Sequence, residues 1–221
     1  MAQVSTPSPT KASTGLPESH DFPAKPASWY LFCQSKELSD RPLSKTMLGR
    51  RLVAYRDSIG RVNMMDANCA HMGADLGRGR IDGDTLECPF HQWSYSPDGQ
   101  CSAIPNTECI PKTAKLQTFP VEERHGHVFF FYGAEPLFPL PFFQGCDEAD
   151  FVASNPFTFT MDCPWFIVVS NGFDGQHIQT VHERRLTNVP CVDCPRPLTR
   201  RIRFSAEVIG ASVFDLSLIH I

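Results

Sequence analysis

The feature that most constrains this chain is a pair of short segments that each contain one cysteine and one histidine. The first is Cys69-Ala70-His71, and Cys88-Pro89-Phe90-His91 follows after residues 72–87. Glycines at positions 73, 77, 79 and 83, and the proline of the second segment, predict two loops whose backbone can pass close to a compact buried group. The surrounding fold must therefore hold together two loops that each present a thiol and an imidazole.

Short runs rich in aromatic and β-branched residues, separated by turn residues, surround the two segments. Such runs predict short strands and a β-rich domain. Arg56-Asp57-Ser58-Ile59-Gly60 predicts a hairpin turn between two of these strands, and Ser96-Pro97-Asp98-Gly99 predicts a second turn. The predicted strands are residues 29–33, 51–55, 62–65, 93–95 and 127–132.

Length and composition limit the size and class of the protein. The 221 residues, of which 42% are hydrophobic, suffice for one ordinary domain and part of another. The formal net charge of -4 excludes the uniform basic field with which a protein holds nucleic acid. No apolar stretch reaches the roughly 18 residues of a membrane-spanning helix, because glutamate and prolines interrupt residues 128–143. We expect a soluble, cytoplasmic protein, with an organelle address left open.

Two kinds of inorganic group fit two cysteines and two histidines. Zinc binds such a set tetrahedrally, but zinc fingers usually pair cysteine with cysteine and histidine with histidine. A [2Fe-2S] cluster can take two thiolates on one iron and two imidazoles on the other, and mixed loops supply that division. The odd number of cysteines, nine, also fits metal binding or free thiols better than a disulfide framework. The mixed loops favour the cluster, with structural zinc as the alternative.

This pattern resembles the Rieske family, whose motif is Cys-x-His, a spacer of this size, and then Cys-x-x-His. The resemblance covers about residues 29–134. It implies that Cys69 and Cys88 bind one iron of a [2Fe-2S] cluster while His71 and His91 bind the other.

Two branches of the family differ at positions that can be compared here. The cytochrome bc-type branch has an extra disulfide between the loops, from cysteines that would fall at Ala74 and Phe90. That branch also places a serine hydroxyl against the cluster, at the position where this chain has Trp93. Hydrogen bonds to the cluster sulfurs raise the reduction potential of the cluster. The chain therefore resembles the low-potential oxygenase or ferredoxin branch. Gln92 is a departure, since oxygenases commonly have glycine there.

A second constellation lies further along the chain, in the spacing Asp174-x-x-His177-x-x-x-x-His182. On an ideal helix the two histidines would be separated by about 140°, so both can meet one metal only where the helix is distorted or broken. Gly172 and Gly175 favour such irregular backbone. The alternative is a helix with a capping aspartate and two surface histidines.

Behind a Rieske motif, this spacing resembles the Rieske non-heme iron oxygenases. The resemblance implies that His177 and His182 bind a mononuclear Fe(II), and that Asp174 is a buried catalytic acid linking this site to the cluster of a neighbouring subunit. A facial triad of two histidines and one carboxylate leaves positions open on iron for oxygen. In the family that carboxylate comes from a helix much further along the chain. Glu183, Glu207 and Asp215 are therefore not assigned to it.

The expected fold class is α+β, with an all-β Rieske domain followed by the incomplete start of an α+β catalytic domain. We predict a disordered arm at residues 1–28, which are rich in serine, threonine, proline and alanine, a cluster domain at residues 29–135, and part of a catalytic domain at residues 136–221. Residues 216–221 match nothing expected of that domain, so we expect a fragment of a longer oxygenase.

The resemblance implies that an NAD(P)H-dependent reductase or ferredoxin delivers electrons to the cluster. The electrons then pass from the cluster to the mononuclear iron, which activates oxygen for attack on a small organic substrate. The full-length protein is expected to be a homo-oligomer. The runner-up is a Rieske ferredoxin-like carrier without catalysis. A third class is an interaction module stabilised by zinc.

Two further features receive a structural interpretation. Cys191 and Cys194 have the spacing of a metal or redox pair, but without a partner pair they predict a loop with free thiols. Several arginines near them predict a solvated face rather than a docking site for an acidic reductase. These arginines are Arg184, Arg185, Arg200, Arg201 and Arg203.

Overall fold

The computed structural model describes residues 23–143, 145–152, 154, 157–197 and 199–209. The chain divides into two compact units, with Pro23–Pro156 forming one and the residues from Phe157 onward belonging to the other. Most of the predicted arm and all of residues 216–221 lie outside the described residues. No helix in the described part is long and apolar enough to cross a membrane.

The described residues form many short strands and two short α-helices. The strands of the first unit are β1 Trp29–Gln34, β2 Leu43–Met47, β3 Arg50–Arg56, β4 Val62–Asp66, β5 Arg80–Asp82, β6 Thr85–Glu87, β7 Ser94–Tyr95, β8 Cys101–Ala103, β9 Val121–Arg124 and β10 His127–Phe131. The second unit contains α1 Trp165–Asn171, α2 Gly175–Thr180, β11 Arg184–Leu186, β12 Cys191–Arg196, β13 Thr199–Arg203 and β14 Ala206–Val208.

Three antiparallel sheets build the first unit, in the strand orders β2-β3-β4, β1-β10-β9 and β5-β6-β7-β8. The predicted hairpin is confirmed, since β3 pairs with β4 and Asp57 caps the turn by accepting hydrogen bonds from the amides of Ile59 and Arg61. Every predicted strand is present, although the one expected from residue 93 begins at Ser94. Strands β2, β5, β6, β8 and β9 were not predicted.

Strand β3 is the centre of this unit because it contributes to two cores. Its side chains alternate between faces, as in any strand. Val53 and Tyr55 pack into the core that also contains both cysteines of the motif, whereas Leu52 and Ala54 pack into a second core with Phe130. All four β3 side chains are fully buried. The motif loops are therefore attached to the most buried part of the unit.

The second unit has little core within its described residues. Strand β11 pairs with β14 and β12 pairs with β13. Phe166 and Arg184 are its only buried side chains among the residues described. Helix α1 exposes Ile167, Val168 and Val169, although a helix apolar on all sides is typical of a buried one. The second unit thus adds two helices and two-stranded sheets to a chain whose first unit is all β. This agrees with the expected α+β class.

The prediction of a loop at Cys191 and Cys194 is wrong, because both lie in strand β12. Three residues of strand span about 10 Å. A disulfide needs Cα atoms within about 7 Å. The two thiols are free, as predicted, and the strand keeps them from forming a redox pair with each other.

Candidate metal centres

Two loops of the same hydrogen-bonded form carry the cysteines and histidines of the motif. The first ligand loop, residues 69–74, lies between β4 and β5, and the second ligand loop, residues 88–93, connects β6 to β7. In the first, the amide of Cys69 donates to the carbonyl oxygen of Ala74 at 2.9 Å, and the amide of Gly73 donates to the carbonyl oxygen of Cys69 at 2.8 Å. The loop is thereby closed on its own cysteine.

The second ligand loop repeats this arrangement. The amide of Cys88 donates to the carbonyl oxygen of Trp93 at 2.8 Å, and the amide of Gln92 donates to the carbonyl oxygen of Cys88 at 3.1 Å. The fifth residue of each loop has left-handed backbone, with φ of 74° at Gly73 and 57° at Gln92. Glycine adopts this conformation freely, whereas a residue with a Cβ atom pays about 1–2 kcal/mol. Gln92 thus occupies the position at which the other loop has glycine.

The four predicted ligands divide into a buried pair and a surface pair. Cys69 and Cys88 are 4% and 1% exposed, whereas His71 is exposed and His91 is partly exposed. The Nδ1 atoms of the two histidines lie 3.1 Å apart. With metal–nitrogen bonds of about 2.0–2.1 Å, two nitrogens at this separation fit a single metal ion.

This division fits a cluster better than zinc. A structural zinc ion is surrounded by four protein ligands. In a Rieske cluster each iron takes two protein ligands, either two thiolates or two imidazoles. The buried thiol pair and the surface imidazole pair supply these two sets.

Burial raises the pKa of three thiols in the first unit, those of Cys33, Cys88 and Cys101. Burial raises the pKa of the Cys88 thiol, so metal binding there releases a proton. Burial also raises the pKa of the Cys33 thiol to about 11 and raises that of Cys101, and neither residue lies in a ligand loop. All the cysteines are free, so the two ligand loops have no disulfide between them.

Tyr95 is a site residue that sequence reasoning missed. Its Oη atom lies 3.1 Å from Sγ of Cys69 and accepts a hydrogen bond from the amide of Ala70 at 3.0 Å. Burial, and then the neighbouring Cys69, raise the pKa of Tyr95 far above its usual value, so the hydroxyl keeps its proton. Because a metal-bound thiolate has no proton to donate, this hydroxyl would donate to the sulfur once a metal is bound at Cys69.

Aromatic rings of the second ligand loop contact both histidines. The rings of His71 and Trp93 are stacked, with centroids 4.6 Å apart and planes 3° apart. Phe90 packs on His91 at 3.9 Å in a tilted arrangement and is 61% exposed. The surface imidazoles therefore lie among aromatic side chains.

At the second constellation, helix α2 ends between the two histidines. His177 lies on α2, whereas His182 follows the helix, which ends at Thr180. Their ring centroids are 5.2 Å apart. Nδ1 of His177 is hydrogen-bonded to the carbonyl oxygen of Asp174. Such a bond places the proton on Nδ1, so Nε2 is the ring nitrogen with a lone pair for a metal. In this structure Nε2 lies 3.5 Å from Nδ2 of Asn171.

The expectation of a buried Asp174 is wrong. Its side chain is 53% exposed, and Oδ1 accepts hydrogen bonds from the amides of Gln176 and His177. The first amides of a helix have no partner within the helix, and an aspartate at this position caps them. The carboxylate therefore lies at the surface, at the start of α2.

The residues after His182 also differ from expectation. Arg184, predicted on a solvated face, is 7% exposed, and its Nη1 atom donates to the carbonyl oxygen of His182 at 2.8 Å. Glu183 between them has φ of 49°. Strained backbone of this kind is often found next to functional side chains. Asp215 lies outside the described residues.

Comparison with known proteins agrees with the geometry. Residues 28–120 match the family model described as Rieske [2Fe-2S] domain. Aminopyrrolnitrin oxygenase PrnD of Pseudomonas fluorescens is 39% identical over 166 residues, which are 71% of this chain and 46% of that protein. Cholesterol 7-desaturase nvd of Drosophila melanogaster is 30% identical over 214 residues, which are 88% of this chain and 50% of that protein.

A solved structure extends the likeness beyond the first unit. The crystal structure of dicamba monooxygenase with non-heme iron and dicamba matches with a TM-score of 0.55 and 27% identity, covering 78% of this chain and 56% of that one. The chain spans about half the length of the curated relatives it matches. Since the family match includes both ligand loops, residues 28–120 form a Rieske [2Fe-2S] domain, and the relatives that the chain matches are Rieske oxygenases.

Proposed function

We propose that this chain is the electron-transfer part, and some of the catalytic part, of a Rieske-type oxygenase. Residues 29–135 are the cluster domain in this proposal, and residues 136–221 belong to the domain of the mononuclear iron. The observation that carries it is the second histidine pair. His177 and His182 have ring centroids 5.2 Å apart, in a chain whose ligand loops already account for a cluster.

In the cluster domain, Cys69 and Cys88 hold one iron and His71 and His91 hold the other. When bound, the cluster supplies one-electron transfer at a potential within about −150 to +300 mV. Burial of the two cysteines excludes water from the thiolate side, whereas the imidazoles reach the surface. The histidine edge is therefore the side at which an electron enters or leaves.

In the second unit, His177 and His182 supply two imidazoles, and the third ligand is a carboxylate that is not assigned. When bound, Fe(II) in a two-histidine, one-carboxylate site offers open positions to oxygen. The carbonyl oxygen of Asp174 orients His177 through Nδ1. Its carboxylate is accessible to a neighbouring subunit, which its proposed role in linking the two metal sites requires. The presence of non-heme iron in dicamba monooxygenase supports this assignment.

The partners follow from the chemistry of such an enzyme. An NAD(P)H-dependent reductase or ferredoxin supplies electrons, and oxygen and a small organic substrate are consumed. We propose a cytoplasmic homo-oligomer, in which the cluster of one subunit serves the iron of the next. The relatives differ in substrate, one being named for aminopyrrolnitrin and another for cholesterol.

The experiment is a count of iron and labile sulfide on the anaerobically purified chain, followed by titration with Fe(II). We expect two sulfides and two cluster irons per chain, the electron paramagnetic resonance (EPR) signal of a reduced Rieske cluster, and one further Fe(II). His177→Ala and His182→Ala should each weaken binding of that Fe(II) at least tenfold and leave the cluster intact. His127→Ala, in strand β10, is the matched control and should change neither.

Other outcomes point to the alternatives. A full cluster without additional Fe(II) binding would indicate a ferredoxin-like carrier. A colourless protein that contains zinc and no labile sulfide would indicate an interaction module and would contradict the proposal at both sites.

A further inference from the structure

The exposed ligand His71 is in contact with an anchored aromatic ring of the opposite loop. His71 belongs to the first ligand loop and Trp93 to the second, and their rings are almost parallel, with planes 3° apart and centroids at 4.6 Å. The contact therefore joins the two loops at the surface edge of the site.

Trp93 is also held by contacts other than its stack with His71. Its carbonyl oxygen accepts the hydrogen bond from the Cys88 amide that closes the second ligand loop. Its side chain is partly buried against the core that contains Cys69, Cys88 and Tyr95. Strand β7 begins at the next residue. Trp93 is thus held by backbone and core, whereas His71 is exposed.

A histidine that binds a metal usually has its second ring nitrogen held by a hydrogen bond to a carboxylate or carbonyl group. In the part of the chain that the structure describes, the hydrogen bond recorded for His71 is from Nδ1 to Nδ1 of His91, and none is recorded for Nε2. Within the described part of this chain, contacts other than such a hydrogen bond therefore restrict the orientation of the ring.

Phe90 does not supply this restriction. It contacts His91, its own neighbour in sequence, and is itself 61% exposed. It therefore adds no connection between the loops. Besides the ligand His91, whose ring meets that of His71 edge-on, Trp93 is the aromatic side chain of the second ligand loop that contacts the first, and its ring is the one stacked on His71.

We propose that Trp93 is a positioning residue for His71. The stack holds the plane of the imidazole so that Nδ1 faces Nδ1 of His91, and it ties the two ligand loops together where they have no disulfide. This inference rests on the proposed role of His71 as a cluster ligand. It assigns Trp93 no contact with the iron.

The experiment compares Trp93→Phe, which keeps a flat ring, with Trp93→Leu, which keeps apolar packing but no stack. The readouts are the 14N couplings of the ligand histidines in the reduced cluster and the rate of cluster loss to a chelator. An aromatic pair of ordinary strength corresponds to about a 2- to 12-fold effect on an equilibrium or rate. We expect the leucine variant to lose its cluster faster by about this factor, with altered couplings at one histidine. The phenylalanine variant should resemble the wild type.

Trp29→Leu is the control, because Trp29 lies in β1 and donates from Nε1 to the carbonyl oxygen of Phe138 rather than contacting a ligand loop. It should change thermal stability without changing the couplings. Equal couplings and equal cluster lifetimes in the leucine and phenylalanine variants would overturn the inference. So would a phenylalanine variant that loses its cluster as fast as the leucine variant.

Two results need separate treatment. If Trp93→Leu does not fold by circular dichroism, Trp93→Met, with a flexible side chain that fills irregular space, takes its place under the same criteria. A wild-type chain without labile sulfide would contradict the cluster assignment itself. A wild-type chain with a cluster, together with variants that do not differ, would contradict only the role of Trp93.

Discussion

The Oη atom of Tyr95 lies 3.1 Å from Sγ of Cys69, and the amide of Ala70 occupies the acceptor side of the same hydroxyl. If Cys69 is a metal-bound thiolate, the hydroxyl is the partner that has a proton to donate. A hydrogen bond to a thiolate favours the more negatively charged, reduced state of a cluster, and this raises its potential. Tyr95 would supply one such bond to a cluster bound at Cys69, although the serine of the cytochrome bc-type branch is absent.

Tyr95→Phe should therefore lower the reduction potential. A hydrogen bond to a charged group is worth about 1.5–3 kcal/mol, and the difference between oxidation states is a fraction of this. With 59 mV per tenfold change for one electron, we expect a decrease of roughly 30–100 mV. A redox titration followed by EPR measures it.

Tyr55→Phe is the matched control. Tyr55 is also fully buried, but its hydroxyl donates to the carbonyl oxygen of Asp84 at 2.9 Å rather than to a sulfur. Its loss should reduce stability by about 1 kcal/mol and leave the potential unchanged. Equal potentials in the two variants would show that the bond to Cys69 has no effect on the cluster.

The equivalent positions of Gln92 and Gly73 give a second prediction. Gln92→Gly should increase the free energy of unfolding by about 0.5–1 kcal/mol, because the gain from relieving left-handed backbone exceeds the added entropy of the unfolded chain. Gly73→Ala should decrease it by about 1 kcal/mol, since an added Cβ atom there meets nothing within 4 Å and only backbone strain remains.

Chemical denaturation of both variants measures these changes. Iron and sulfide content should be unchanged in Gln92→Gly, since all four ligands remain. A Gln92→Gly variant less stable than wild type would mean that the glutamine side chain makes a stabilising contact that outweighs its strain.

The fold was predictable where strands contain a run of apolar side chains. Length alone is not enough, since β2 also has five residues but three consecutive polar ones, and it was not predicted. Strands β1, β3, β4 and β10 each have five or more residues and contain runs of apolar side chains. Strands β5, β6 and β8 have three residues each, and alternation cannot be recognised over so short a length. Their pairing depends on the loops between them, which is a property of the folded chain.

The candidate site was predictable for the ligands and not for their supports. The spacing of Cys69, His71, Cys88 and His91 predicted two ligand loops, in which the structure places a buried cysteine pair and a surface histidine pair. The contact of Tyr95 with Cys69 joins residues 26 positions apart, so no local pattern contains it. Asp174 is exposed because α2 begins next to it at the surface. The spacing of one aspartate and two histidines does not determine where a helix begins or whether its start is buried.

A close backbone contact between Gly79 and Glu87 gives a third prediction. A Cβ atom on Gly79 would lie 2.0 Å from the carbonyl oxygen of Glu87, which is main chain and cannot move aside alone. Gly79→Ala should therefore separate β5 from β6 next to the second ligand loop. We expect a loss of more than about 3 kcal/mol in stability and a failure to retain the cluster.

Gly83→Ala is the comparison, since it also adds one methyl group near the same strands but meets nothing within 4 Å. It should cost about 1 kcal/mol through its left-handed backbone and keep the cluster. Thermal unfolding and iron content distinguish the two. Equal losses of stability and of iron in the two variants would show that backbone conformation, rather than the contact with Glu87, causes the effect.

The buried Arg184 gives a fourth prediction, which concerns the proposed mononuclear site. Its guanidinium donates to the carbonyl oxygen of His182 and so restrains the backbone of a proposed iron ligand. Groups that orient metal ligands typically contribute about 10- to 100-fold to metal affinity. Arg184→Met should therefore weaken Fe(II) binding by about this factor without affecting the cluster.

Arg185→Met is the control, because Arg185 is the exposed neighbour of Arg184, with Nη1 3.7 Å from a carboxylate oxygen of Glu207. Surface ion pairs of this kind contribute about 0–1 kcal/mol, so its Fe(II) affinity should equal that of the wild type. Titration with Fe(II) and circular dichroism are measured on both variants. If Arg184→Met is folded and binds Fe(II) as tightly as Arg185→Met, the guanidinium does not position His182, and its burial serves stability alone.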